Sequence, residues 1–248
     1  MPVTCSLRCA TVETNRAVVA IDGPSGSGKS STSRGVARAL GLAYLDTGAM
    51  YRAMAWYMLD RRVDVTDPSA VAQRAAEPTL VSTTDPDSPA ISVDGVDVSE
   101  PIRGEAVTGA VSPVAAVPEV RTRLVELQRA VVAEARAAGR GIVVEGRDIG
   151  SVVLPDATAK VYLTADPAAR AARRALEDAG RTGGKAPHDD HVAATAASLA
   201  ARDAIDSGRA TSPLVRADGA VEVDGTYLTL DEVIGTVVGI VADACARA

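Results

Sequence analysis

A chain of 248 residues, 47% of them hydrophobic, suits one large α/β domain, or one core with small inserts, and is long enough to bury a sizeable core. With one Trp, five Tyr and no Phe it lacks the aromatic platforms on which single-stranded nucleic acid stacks, and its net charge of -6 argues against bulk binding to a polyanion. Cys5, Cys9 and Cys245 make no Cys-x-x-Cys pair, and no apolar run is long enough to span a bilayer, so a reducing cytoplasm is the expected setting, without nucleic-acid or membrane partners.

Residues 1–16 show no clear period and lack the apolar core of a signal peptide. A loose tail is expected there, ahead of one domain over 17–248. Ala17–Asp22 (AVVAID) reads as a buried strand, and the core must draw on Ala, Val, Leu and Ile. Gly23-Pro24-Ser25-Gly26-Ser27-Gly28-Lys29-Ser30 follows and satisfies G-x-x-x-x-G-K-[ST], with a helix expected over Lys29–Leu40. Each part has a physical task. The glycines allow positive φ and close backbone approach. Successive N–H groups form a concave anion nest at the positive end of the helix. Lys29 would reach the terminal phosphates, and the Ser30 hydroxyl would face Mg²⁺. A triphosphate site is therefore expected over Gly23 to Ser31. Switch-type GTP binding is disfavoured, since no D-x-x-G is present and Asn15 is the sole Asn.

Ala43–Asp46 reads as a short strand and Ala49–Arg61 as a helix. Thr47, Tyr51 and Arg52 would lie together around its start. A hydroxyl, a phenol and a guanidinium suit a phosphorylated acceptor, although a capped helix with a surface arginine reads equally well. From Thr79 to Ser99, β-branched residues and Asp-Gly turns predict short antiparallel strands, an insert reaching about Pro118 with a helical flank. Glu119–Ala138 is a long amphipathic helix ended by Gly139, and Ile142–Glu145 is a strand. After that strand come Glu145-Gly146-Arg147-Asp148-Ile149-Gly150, charges at a strand's carboxyl end, where open α/β sheets bind ligands. A structural Arg–Asp pair is the alternative. Lys160–Thr164 is another strand, and Asp166-Pro167 caps a helix bearing Arg170, Arg173 and Arg174. The polar stretch Gly180–Asp190 interrupts two helices, and a mobile lid is expected over 175–191. His188 and His191 flank Asp189-Asp190 without further ligands of clear spacing. Arg202, Asp206 and Arg209 share one helix face, as ligands or as a solvated ion-pair ladder. A strand over Ala220–Val223 and a helix over Leu230–Ala246 complete the chain.

The blocks GPSGSGKS, LDTGAMYR, SPVAAVPEVR, EGRDIGSVVLPDA and RDAIDSGRATSPL resemble the bacterial cytidylate kinase family, in family order over most of residues 17–245. The resemblance implies a P-loop nucleoside monophosphate kinase fold, a parallel sheet flanked by helices. It further implies an acceptor region over 48–118 containing the β insert of about 79–99, and a short lid. The implied reaction moves the γ-phosphoryl group of ATP to CMP or dCMP, with Mg²⁺. Thr47, Ser112, Arg121 and Asp148 would surround the cytosine. Arg52, Arg147 and Arg209 would hold the CMP phosphate, and Arg202 and Asp206 would meet the sugar with Tyr51 nearby. Lys29, Arg147, Arg170, Arg174 and Arg209 would carry catalysis. Position 47 is Thr where some relatives have Ser, and residues 1–16 extend beyond the usual start. A kinase of another acceptor and a binding protein without turnover stay open, and a monomer is the default.

Overall fold

The computed structural model describes residues 14–182, 188–209 and 214–247. The apolar run Val18–Asp22 is strand β1, buried at every position, and Ile142–Gly146 (β6) is likewise buried throughout. Continuous rather than alternating burial marks strands covered on both faces, as in parallel sheets. These two strands pair at the middle of a five-stranded parallel sheet, with Val18 opposite Ile142 and Asp22 opposite Gly146. Ala43–Asp46 (β2) pairs with β6 on one side. Ala159–Thr164 (β7) pairs with β1 on the other, and Val221–Asp224 (β8) forms the far edge, giving the order β2-β6-β1-β7-β8.

The period of two along a strand divides the core into two layers. Val19 and Ile21 face Lys29–Leu40 (α1) and the C-terminal helix Leu230–Cys245, packing with Val36, Ala37, Val233, Val237 and Val241. The two helices come close because Gly35 has no side chain: a Cβ there would lie 2.2 Å from Ile234 Cδ1. Val18 and Ala20 face the opposite layer, made by Thr47–Asp60 (α2), Pro68–Arg74 (α3), Glu105–Ala116 (α4) and Pro118–Ala137 (α5). Met50, Met54 and Met58, one stripe of α2, are fully enclosed there, so the core is not built from Ala, Val, Leu and Ile alone.

Leu80–Ser82 (β3), Ile91–Val93 (β4) and Val96–Asp97 (β5) form a separate antiparallel sheet. Asp94 and Gly95, both at positive φ (50° and 83°), make its hairpin turn. Its long loop is tied to α1: Arg34 Nε donates to Pro86 O (3.0 Å) and Arg38 pairs with Asp87 (2.6 Å).

Most strand and helix ends fall within a residue of the sequence reading, and the larger differences have identifiable causes. Helix α2 starts at Thr47 rather than Ala49, because the Asp46 carboxylate accepts the Ala49 N–H (2.9 Å) and caps it there. Helix α3 was not expected; the Asp67 side chain caps it, with Pro68 at its first position. The tail of 1–16 does not extend to its stated end, since Asn15 O accepts the Gly141 N–H (2.7 Å). Residues 1–13 lie outside the described residues, as do 183–187 within the lid expected over 175–191. The chain continues through Pro167–Thr182 (α6), Asp189–Ser207 (α7) and the C-terminal helix (α8). No described helix is long and apolar enough to cross a membrane.

Candidate functional site

Parallel pairing brings the carboxyl ends of β1, β2 and β6 to one edge of the sheet, and with them Asp22, Asp46 and Glu145. A cavity of about 610 Å³ opens there. Ser25, Gly26, Ser27, Gly28, Lys29, Ser30 and Ser31 line one end of it. Gly26 and Gly28 adopt positive φ (76° and 89°). Gly23 and Pro24 are not among the lining residues. Gly23 serves the approach instead, since a Cβ there would stand 2.0 Å from Leu163 O. The Ser25 N–H donates to Asp203 Oδ1 (3.0 Å), and Arg170 bridges the Ser25 carbonyl and Asp203. Arg170 thus braces the loop and does not line the cavity.

Lys29 Nζ donates to Pro24 O (2.6 Å) and lies near Ser27 Oγ (3.5 Å). Burial, and then Arg147, press its pKa down, while Glu145 and Asp22 oppose them. The Ser30 hydroxyl donates to Glu145 Oε2 (3.1 Å), and the Tyr44 hydroxyl donates to Oε1 (2.5 Å). Burial, and then Asp46, push the Glu145 pKa up.

The acceptor candidates line the same cavity. Thr47 Oγ1 donates to Glu145 O (2.7 Å). Gly146 must lack a side chain, for a Cβ would lie 2.8 Å from that hydroxyl. Asp148 forms a buried ion pair with Arg121, whose guanidinium carbon sits 5.4 Å from the centroid of the Tyr51 ring. Ser112 stands on α4 among the lining residues. The turn carrying Asp148 is held from beneath. Asp22 accepts the N–H groups of Ile149 and Gly150 (2.8 Å each), and Arg129 donates to Val153 O (3.0 Å) and Val152 O (2.8 Å). Burial raises the Asp22 pKa to about 6.

The expected phosphate and sugar ligands also meet. Arg147 Nε donates to Asp206 Oδ2 (3.0 Å), and Arg209 pairs with the other Asp206 oxygen. Arg52 donates to Ile102 O (3.1 Å) and Thr108 Oγ1 (3.0 Å). Burial disfavours the charges of Arg52, Arg202 and Arg209, and Arg202 adds to that at Arg52. Such a convergence of guanidinium groups is relieved by an anion. Arg173 and Arg174 line the cavity as well. Arg174 is held by Glu177 and Asp178 (3.1 Å each), and Arg173 donates to Gly225 O. Among the described residues no group of three His, Cys, Asp or Glu is placed to hold a metal, and His188 with His191 forms none.

Sequence reasoning assigned no role to Asp22, Tyr44 or Gln128, and it quoted Glu145 only as part of a motif. The available signal was position: Asp22 and Glu145 each stand at the end of a strand beside the glycine-rich turn. Leu228, Leu230 and Val233, which also line the cavity, carry no local signal at all, since they reach it through the sheet order.

The family model described as cytidylate kinase matches residues 19–243. The chain is similar to the cytidylate kinase of Streptomyces griseus subsp. griseus, 58% identical over 233 residues, spanning 93% of this chain and 96% of that protein. It is likewise similar to the cytidylate kinase of Nocardia farcinica, 53% identical over 225 residues (91% and 93%), and to that of Mycobacterium leprae, 48% identical over 225 residues (90% and 95%). With a family model spanning nearly the whole domain and relatives matched along almost their full length, the chain belongs to the cytidylate kinase family.

Proposed function

We infer that this chain transfers the γ-phosphoryl group of ATP to CMP or dCMP, giving ADP and CDP or dCDP. The observation that carries this reading is a single cavity lined both by the anion nest of Ser25 to Ser31 and by Thr47, Ser112, Arg121 and Asp148. The nest and Lys29 take the triphosphate. Leu228, Leu230 and Val233, with Arg173, offer the apolar and cationic surfaces that suit the donor base. On the acceptor side Arg121 engages Asp148 Oδ2, which leaves Oδ1 to accept from an exocyclic amine. Cytosine presents that donor at position 4; uracil presents a carbonyl there, facing a carboxylate.

Hard oxygen donors fit Mg²⁺ at the head of the nest. Ser30 already gives its proton to Glu145, so its lone pairs are free to coordinate, with the Glu145 carboxylate beside it. When bound, the ion supplies neutralisation of charge on the phosphates. The protein's own part is positioning and electrostatics. The attacking group is a phosphate oxygen with a second pKa of about 6, so no strong general base is required. Arg52, Arg147 and Arg209 hold the acceptor phosphate against repulsion from the donor. Arg202 and Asp206 meet the sugar, and Asp206 also orients Arg147 and Arg209. Region 48–118 forms the acceptor side, and a lid over 175–191, whose Glu177 lines the cavity, closes to exclude water. A monomer acting in the cytoplasm is part of the same proposal.

Coupled ADP release with CMP, dCMP, UMP, AMP and shikimate as acceptors tests the reading. Turnover with CMP and dCMP well above the other three is expected. Comparable turnover with UMP or AMP, or turnover with shikimate alone, would overturn the acceptor assignment; no turnover with any would overturn the activity.

A further inference from the structure

Helix α5 buries two polar side chains on one face, two turns apart: Arg121, 4% exposed, and Gln128, 1% exposed. Arg121 is accounted for by Asp148. Gln128 is not, because neither its Oε1 nor its Nε2 has a hydrogen-bond partner among the described residues. An amide sealed from water with both ends unpaired is costly, and such groups are rare in folded chains unless a function retains them. Gln128 does not line the cavity, so it cannot serve a ligand by direct contact.

Gln128 does act on a residue that lines the cavity. It is one of the groups bearing on the Tyr51 hydroxyl, together with Arg121 and Asp148. Burial pushes the Tyr51 pKa up to about 12, and Arg121 and Gln128 only partly offset it, so at neutral pH the group is a phenol with a proton to donate. Its ring is already fixed on one side by the Arg121 guanidinium. The Gln128 amide bears on the hydroxyl end, yet no hydrogen bond of good geometry joins the two.

We propose that Gln128 is a positioning residue for the acceptor: when a nucleoside monophosphate fills the pocket, the Tyr51 hydroxyl comes into line with the Gln128 amide and the phenol ring is locked as one wall of the acceptor site. This rests on the acceptor reading given above. An apolar residue at 128 would pack as well or better, so fold stability alone does not explain a glutamine there.

The test is steady-state kinetics of the wild type, Q128L, Y51F and Q128L/Y51F, with CMP varied at saturating Mg·ATP and then the reverse. In Q128L the KM for CMP is expected to rise about tenfold, as for one lost hydrogen bond, with the KM for ATP within about twofold and Tm at or above wild type. Y51F is expected to show a similar rise, and the double variant to be no worse than either single, since both changes break one pair. A merely structural glutamine predicts a lower Tm with both KM values unchanged. An unchanged KM for CMP in Q128L, or effects that add in the double variant, would overturn the inference. If Q128L does not fold, a Y51F enzyme with wild-type KM for CMP overturns it equally. Wild-type protein inactive on CMP would overturn both this inference and the acceptor reading; normal CMP turnover with unmoved variants would overturn this inference alone.

Discussion

At the scale of single residues, Asp148 is the residue proposed to choose the base, and its ion pair with Arg121 decides how to test it. Asp148→Ala is expected to lose CMP selectivity more than ATP affinity, but it also strands Arg121, a guanidinium 4% exposed, without its counter-charge. Breaking a buried pair from one side costs about 3–5 kcal/mol, which confounds a kinetic reading with unfolding. Asp148→Asn keeps an oxygen for Arg121 and turns an N–H donor toward the base, which now favours a carbonyl. The ratio of kcat/KM for CMP over UMP is expected to fall by about a hundredfold, with the KM for ATP little changed. An unchanged ratio would remove Asp148 from base recognition. Much of this cavity's lining was legible from motifs, because a glycine-rich turn, adjacent Arg147 and Asp148 at a strand end, and Arg202, Asp206 and Arg209 on one helix face each impose local chemistry. Gln128 was not legible. One glutamine in an amphipathic helix carries no signal until its burial and its unpaired amide are known.

At the scale of elements, the site depends on how strand ends hold turns. Asp22 closes β1 and accepts two backbone N–H groups from the turn that presents Asp148. Its pKa is raised by burial from 3.8 to about 6, so the fold favours its neutral form. The stabilisation this gives is fully present below about pH 4 and is lost as pH rises through about 6, a change of about 3 kcal/mol. In urea unfolding at pH 4.5 to 7, the stability of wild type minus that of Asp22→Asn is expected to decline across this window. A difference independent of pH would contradict the assignment. Elements themselves were read well where a period or a cap marks them: α1 and β2 fall on the residues expected. Helix α3 was missed because seven residues give too little period to register, and its Asp67 cap is visible only once the turn before it is built. The start of α2 was displaced because Thr47-Gly48 reads as a turn by composition, while the Asp46 cap draws both residues into the helix.

At the scale of the molecule, the sheet order does what no single motif can. The glycine-rich turn follows β1 and the Arg–Asp pair follows β6, about 120 residues later in the chain. They share a cavity because β1 and β6 are adjacent and parallel. Arg52 arrives from α2, Arg121 from α5, Arg173 and Arg174 from α6, and Arg202 from α7 with Arg209 just past its end, while Leu228, Leu230 and Val233 come from the start of α8 and the residues before it. Fold class was legible from the alternation of strand, turn and helix. Which strands would be neighbours was not readable from periodicity. The central claim is that donor and acceptor sites open into one cleft, close enough for direct transfer. The most direct test is the affinity of a single molecule that joins adenosine and cytidine through five phosphates, compared with ATP and CMP separately. Linkage across two adjoining sites is expected to bind at least about a hundredfold more tightly than either nucleotide. An affinity no better than that of ATP alone would mean that the two sites do not share the cleft.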